Sequence, residues 1–121
     1  SANNTLGQKF LRGYQVTDAN GVAQFTTIYP GWYSGRTTHI HFKIRATTSA
    51  GASYEFVSQL FFADTLTDTV YTQTPYNSRG ARDTRNSNDN IYGSDGGQLL
   101  LTLAPNGSGY TATFEIGLNI A

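Results

Sequence analysis

The chain has 121 residues, the size of one domain and too short for two ordinary cores. Eight basic and eight acidic residues cancel to a formal charge of zero, which excludes recruitment to nucleic acid or to a membrane surface by bulk charge, so partners have to be sought at a site. There is no cysteine, hence no disulfide framework and no thiolate metal site, and no run approaches the ~18 consecutive apolar residues of a membrane span.

From Phe10 onward, short β-rich runs alternate with turn residues, and no segment keeps a helical period for more than two turns. The run FLRGYQV predicts a first strand. Asp18, Ala19, Asn20 and Gly21 follow, and the Asn-Gly pair supplies the positive φ of a tight hairpin turn into a second strand, VAQFTTIY. Pro30 and Gly31 end that strand. In HIHFKIRA the alternation puts His39, His41, Lys43 and Arg45 on one face and Ile40, Phe42 and Ile44 on the core face. The TTSAGAS loop reverses the chain into YEFVSQLFFAD, whose apolar content predicts a strand buried on both faces. Between Thr65 and Gly97 the polar, Gly-containing sequence is too long for a simple loop, so turns or a short helix with a binding or capping role are expected there. QLLLTLA and YTATFEIGLNI, joined by an Asn106 to Gly109 turn, predict a final hairpin. Some six strands in two packed layers give an all-β chain, a β-sandwich of two mostly antiparallel sheets, with no internal repeat.

The histidines of the chain, His39 and His41, stand one residue apart on a predicted strand and therefore point the same way. That spacing suits a metal, and it equally suits two pocket residues hydrogen-bonded to neighbours. With no Cys and no third His, further ligands have to be oxygen, which favours a hard, higher-valent ion. Tyr33 is the nearest oxygen candidate, or else a packed aromatic; its phenol ionises near pH ~10, so ligation at neutral pH needs a strongly acidic metal such as Fe(III). Arg36 lies in the same loop and reads alone as an exposed arginine. Gln59, within FVSQLFF, either ties two strands together or faces a polar pocket. Trp32 reads equally as a pocket wall and as core.

The order FLRGYQVTDANGVAQFTTIYPGWYSGRTTHIHFKI, followed by VSQLFF and YTATFEIGL, resembles the intradiol ring-cleavage dioxygenases over most of Phe10 to Leu118. These are non-haem Fe(III) enzymes that open catechols with O2 to cis,cis-muconates. The resemblance implies Tyr33, His39 and His41 as metal ligands and Arg36 and Gln59 as catalytic neighbours, Arg36 stabilising negative charge on the ring during oxygen attack and Gln59 lying beside it in the pocket. It also implies a second role for Tyr33, as proton acceptor after the catechol displaces it. In the family a first tyrosine ligand lies upstream of FLRG, whereas no tyrosine precedes Tyr14 here. The resemblance therefore implies that residues 1–121 form a single catalytic domain that is N-terminally truncated or one piece of a nicked chain, whose missing N-terminal segment is a partner besides catechol and O2. The short Tyr33 to His39 spacing, with the Thr, Ser, Asn and Gly-rich, weakly charged composition, resembles the secreted microbial branch, so an extracellular location is expected. The competing readings are a secreted carbohydrate-binding β-sandwich module, which uses Trp32 and tyrosines as a sugar platform, and an inactive dioxygenase fragment.

Overall fold

The computed structural model describes residues 6–95 and 97–120. The HIHFKIRA run becomes β1 (His39–Thr47) and pairs antiparallel with β2 (Ser53–Phe62) in a register that sets His39 opposite Phe61 and His41 opposite Gln59. Directly opposed residues share a face. Gln59 therefore lies on the histidine face, and the far end of that face carries Lys43 and Arg45 within reach of Glu55, at 3.3 and 3.8 Å. The other face of β1 carries Ile40, Phe42 and Ile44, which are half-buried rather than enclosed; Phe42 packs on Phe56 with ring centroids 6.0 Å apart.

β2 departs from the expectation of burial on both faces. Its first half alternates, with Val57 58% exposed, and only its end, Phe61 and Phe62, is buried. The reason lies in its neighbours: β3 (Leu100–Leu101) pairs in parallel with Phe61 and Phe62 alone, so β2 has strands on both sides only at that end. Between them run α1 (Asp64–Val70), single 3-10 turns at Tyr76–Arg79 and Asn86–Asn88, and α2 (Asn90–Asp95), in accord with the turns and short helix expected there. The final hairpin forms as expected from β4 (Leu103–Asn106) and β5 (Gly109–Ala112), closed by Gly107 at φ 61°, but it stops at Ala112, short of the predicted strand end.

The two N-terminal strands are not formed among the described residues. The turn itself is present: Asp18 N–H donates to Val22 O at 2.9 Å, Gly21 has φ 76°, and Asp18 Oδ1 accepts from the N–H groups of Asn20 and Val22. Its arms find no ladder partner, and Phe10, Tyr14, Val16, Phe25 and Ile28 stand in solvent. Local turn chemistry closed the turn, but a strand needs a neighbour to bond. The architecture is thus all-β, of the β-sandwich class, and among the described residues it has five strands in two sheets, three-stranded and two-stranded, instead of six strands. No described helix is long and apolar enough to cross a membrane.

Phe61 is fully buried at the point where the sheet meets the histidine face, with its ring edge-on to Tyr92 at 5.3 Å and tilted against His39 at 6.3 Å. Phe61→Ala is expected to lower stability by about 3 kcal/mol. Urea unfolding checks this; an unchanged midpoint would remove Phe61 from the core.

Candidate metal centre

The bend before β1 is built by Gly35, whose φ of 89° is a left-handed conformation that suits glycine, and by a bridge between Tyr33 and Arg36. Its tip is anchored from a distant loop. Ser34 Oγ donates to Asp83 Oδ2 at 2.5 Å and Gly35 N–H to Asp83 Oδ1 at 3.1 Å, and these donors, Ser34 foremost, hold the Asp83 carboxyl below its ordinary range.

The bend brings Tyr33 back to the histidines. Tyr33 Oη lies 3.4 Å from His39 Nε2, and His39 Nε2 lies 3.1 Å from His41 Nε2. His39 Nδ1 is 2.6 Å from the Thr37 carbonyl. A carbonyl only accepts, so Nδ1 carries the proton and, in the neutral ring, Nε2 presents its lone pair. Burial keeps the ring neutral by pushing its pKa below the ordinary 6.5; the Thr37 carbonyl opposes this, while the charge of Arg36 adds to it. Two nitrogens each roughly 2.1 Å from one cation, at a right angle, stand about 3 Å apart, so the observed pair fits a shared ion. No three His, Cys, Asp or Glu side chains gather among the described residues, and the oxygen that approaches the pair is the Tyr33 phenol. Two imidazoles and a phenol suit a hard ion. His39 is buried while Tyr33 is 50% exposed, so one side of the cluster is open to solvent.

Arg36 lies beside this cluster in a polar frame. Its Nη2 donates to Gln59 Oε1 at 2.5 Å and its Nε to Asp89 Oδ2 at 2.9 Å. Gln59 thus bonds to the arginine of the bend. The same Asp89 oxygen accepts from Thr37 N–H at 2.9 Å, while Oδ1 accepts from the N–H groups of Ile91 and Tyr92, the N-capping pattern at the start of α2. Burial alone would favour the neutral acid; Arg36 and the backbone donors of Tyr92 and Thr37 outweigh it and hold the carboxyl at about 2. Arg36 is therefore an anchored cation, not the free surface arginine that its loop position suggests. Asn86 supports the same strand entrance: Thr37 Oγ1 donates to its Oδ1 at 2.7 Å, and its Nδ2 donates to Phe62 O at 2.7 Å.

All five site residues expected from the sequence, Tyr33, Arg36, His39, His41 and Gln59, thus meet on one face. Asp89 and Asn86 were not anticipated. An Asp two residues before Ile91 carries a recognisable N-cap signal, but nothing in the local sequence indicates that its second oxygen faces Arg36, 53 residues away.

No protein-family model matches the sequence, and no curated protein does. Among solved structures, an intradiol ring-cleavage dioxygenase from Tetranychus urticae superposes with a TM-score of 0.72 at 32% identity, covering 85% of this chain and 50% of that one. A second dioxygenase crystal structure gives 0.67 at 34% identity, over 79% of this chain and 46% of its own length. The chain belongs to the intradiol ring-cleavage dioxygenase family. It spans about half the length of these solved relatives. Within this dioxygenase fold the bend and β1 lie inside the stretch that bears the sequence resemblance, and so does β2.

Because the folded Asp89 carboxyl lies at about 2, below its ordinary 3.8, its ion pair adds stability above the ordinary value and loses it as pH falls toward 2. Asp89→Asn leaves a mostly buried guanidinium without its carboxylate and is expected to remove about 3 kcal/mol at neutral pH. It should also flatten the acid limb of stability between roughly pH 4 and pH 2. Urea titrations across that window, with the parent showing the steeper slope, check both statements.

Proposed function

We propose that this chain carries the metal-binding and catalytic face of a non-haem Fe(III) dioxygenase of the catechol 1,2-dioxygenase type, which converts catechols and O2 to cis,cis-muconates. The single observation that supports this reading is the convergence of Tyr33 Oη, His39 Nε2 and His41 Nε2, with the Arg36–Gln59 pair alongside. Tyr33, His39 and His41 would hold the ion. Bound there, Fe(III) would supply Lewis acidity toward a catecholate and its reaction with O2.

The protein groups carry the remaining work. Tyr33, half-exposed on the open side, would be held as a phenolate when the ion is bound, and its Oη would then take the proton of an entering catechol hydroxyl, leaving a neutral phenol and an anionic substrate. His39 is held in one tautomer by Thr37, so its Nε2 stays a donor of electrons through the cycle. The Arg36 guanidinium, always charged, stabilises negative charge that develops on the ring, where a lysine in a dry pocket could lose its proton. Gln59 and Asp89 fix two edges of that guanidinium, so the favourable orientation exists before substrate arrives. The low-charge, Thr, Ser, Asn and Gly-rich composition supports action outside the cell.

Addition of Fe(III) is expected to give a visible phenolate-to-iron charge-transfer band together with bound iron in elemental analysis. Tyr33→Phe should lose the band, and His41→Ala most of the metal; an iron-replete His41→Ala protein would remove that histidine from the ligand set. Arg36→Ala should keep iron yet slow muconate formation from catechol by roughly 100-fold or more, and equal turnover in variant and parent would end its assigned role.

A further inference from the structure

A cavity lies beside the bend that carries Tyr33, with Gly31 and Trp32 in its wall. Its volume is about 460 Å³, and Trp32, Tyr71, Pro75, Tyr76, Ser78 and Arg79 line it. It is separate from the histidine face. Tyr71 Oη lies 2.7 Å from Thr38 Oγ1, whereas the next residue, His39, turns its ring toward His41 and Tyr33. None of Tyr33, Arg36, His39, His41 or Gln59 lines the cavity, so its wall and the histidine face are built from different residues.

The chemistry of the lining is selective. Tyr71 donates to Pro30 O at 2.7 Å, Tyr76 to Tyr29 O at 2.7 Å, and Ser78 to Pro75 O at 2.8 Å. Their hydroxyl protons are thus committed to backbone carbonyls, and the aromatic residues offer ring surface instead. Tyr71 and Tyr76 are stacked on each other with centroids 5.7 Å apart and planes 14° apart. Arg79 is the exception. Its guanidinium lies over the Trp32 ring at 4.8 Å from the centroid, and among the described residues no carboxylate pairs with it. A stacked guanidinium uses its face for the ring and keeps its in-plane N–H groups free, the geometry that grips a carboxylate through two parallel bonds. No acidic residue lines the cavity to compete for it.

We propose that this cavity binds an aromatic carboxylate, with the ring against the Trp32 and Tyr71–Tyr76 surfaces and the carboxylate on the free edge of Arg79. The cavity is within the size range of small-molecule sites. A sugar is a poorer occupant, because a hydroxyl-rich ligand needs several uncommitted donors and acceptors, and in this lining only the Arg79 guanidinium and the buried Trp32 indole N–H lack an acceptor among the described residues. The site does not depend on the dioxygenase reading: it uses none of the residues assigned to the metal centre.

Trp32 is the single tryptophan of the chain, so its fluorescence reports on the cavity directly. Benzoate is the probe, since it carries a ring and a carboxylate but no pair of hydroxyls with which to chelate a metal as a catechol does. Titration with benzoate is expected to change Trp32 emission saturably, and the neutral analogue benzyl alcohol is expected to bind at least tenfold more weakly. Arg79→Gln should weaken benzoate by roughly tenfold or more, with Arg79→Lys intermediate, because lysine keeps the charge but not the planar fork. His41→Ala and Tyr33→Phe, each disabling the metal centre, should leave the benzoate titration unaltered. The proposal is overturned by a flat benzoate titration of the parent, by equal binding of benzyl alcohol, by parent-like benzoate affinity in Arg79→Gln, or by loss of the signal in both metal-centre variants.

Discussion

Asp89 is a carboxylate with no exposed side-chain surface, and a charge so placed is costly unless every lone-pair direction is answered. Four N–H groups answer it: Arg36 Nε and Thr37 N on one oxygen, Ile91 N and Tyr92 N on the other. The bend, the entrance to β1 and the start of α2 are thereby tied at one point. None of the three can move without uncovering the charge. Because Thr37 sits in that knot and its carbonyl holds His39 Nδ1, the orientation of the first imidazole is set by the same anion that sets the guanidinium. One buried charge thus organises both the candidate ligand set and the cation beside it.

The segment from Pro30 to Thr38 is gripped from two sides. On one, Asp83 holds the tip of the bend, and Asp89 and Asn86 hold its return to the strand. On the other, Tyr71 reaches Pro30 O and Thr38 Oγ1 at once, and Tyr76 reaches Tyr29 O. Tyr29 closes the arrangement. Its ring packs on Phe62 at 4.5 Å and its hydroxyl meets Thr67 Oγ1 at 2.7 Å, and burial raises its pKa well above the ordinary phenol value, so it remains a neutral structural group. Tyr33 in the same stretch is half-exposed, with its hydroxyl 3.4 Å from His39 Nε2. Two tyrosines four residues apart thus stand in opposite environments, one enclosed and one half-exposed.

The bend also divides two chemistries. Its strand side gathers two imidazoles and a phenol, donors that call for a hard cation. Its far side gathers aromatic rings and an unpaired guanidinium, which call for an anion with a flat body. Opposite electrostatic demands on either side of eight or so residues are sustained because the intervening backbone is clamped by hydrogen bonds to fixed loops.

Alternation along HIHFKIRA, the Asp18 to Gly21 turn and the Asn106 to Gly109 hairpin were legible in the sequence, because each follows from local backbone geometry, whereas the grouping of Tyr33, Arg36, His39, His41 and Gln59 was implied by the family resemblance, since Gln59 lies 23 residues from its partner Arg36. The strands expected at FLRGYQV and VAQFTTIY were not realised, since propensity proposes a strand and only a neighbouring ladder makes one. Asp89 was invisible for a related reason. Its N-cap role is written in the residues that follow it, but its charge partner comes from a bend 53 residues upstream, and no local pattern encodes which buried anion will meet which cation. Residue types and spacing determined what chemistry this chain can hold; the tertiary structure decided which groups are fixed, which stay free, and on which side of the bend each one faces, because burial and long-range hydrogen bonds exist only once the segments have met.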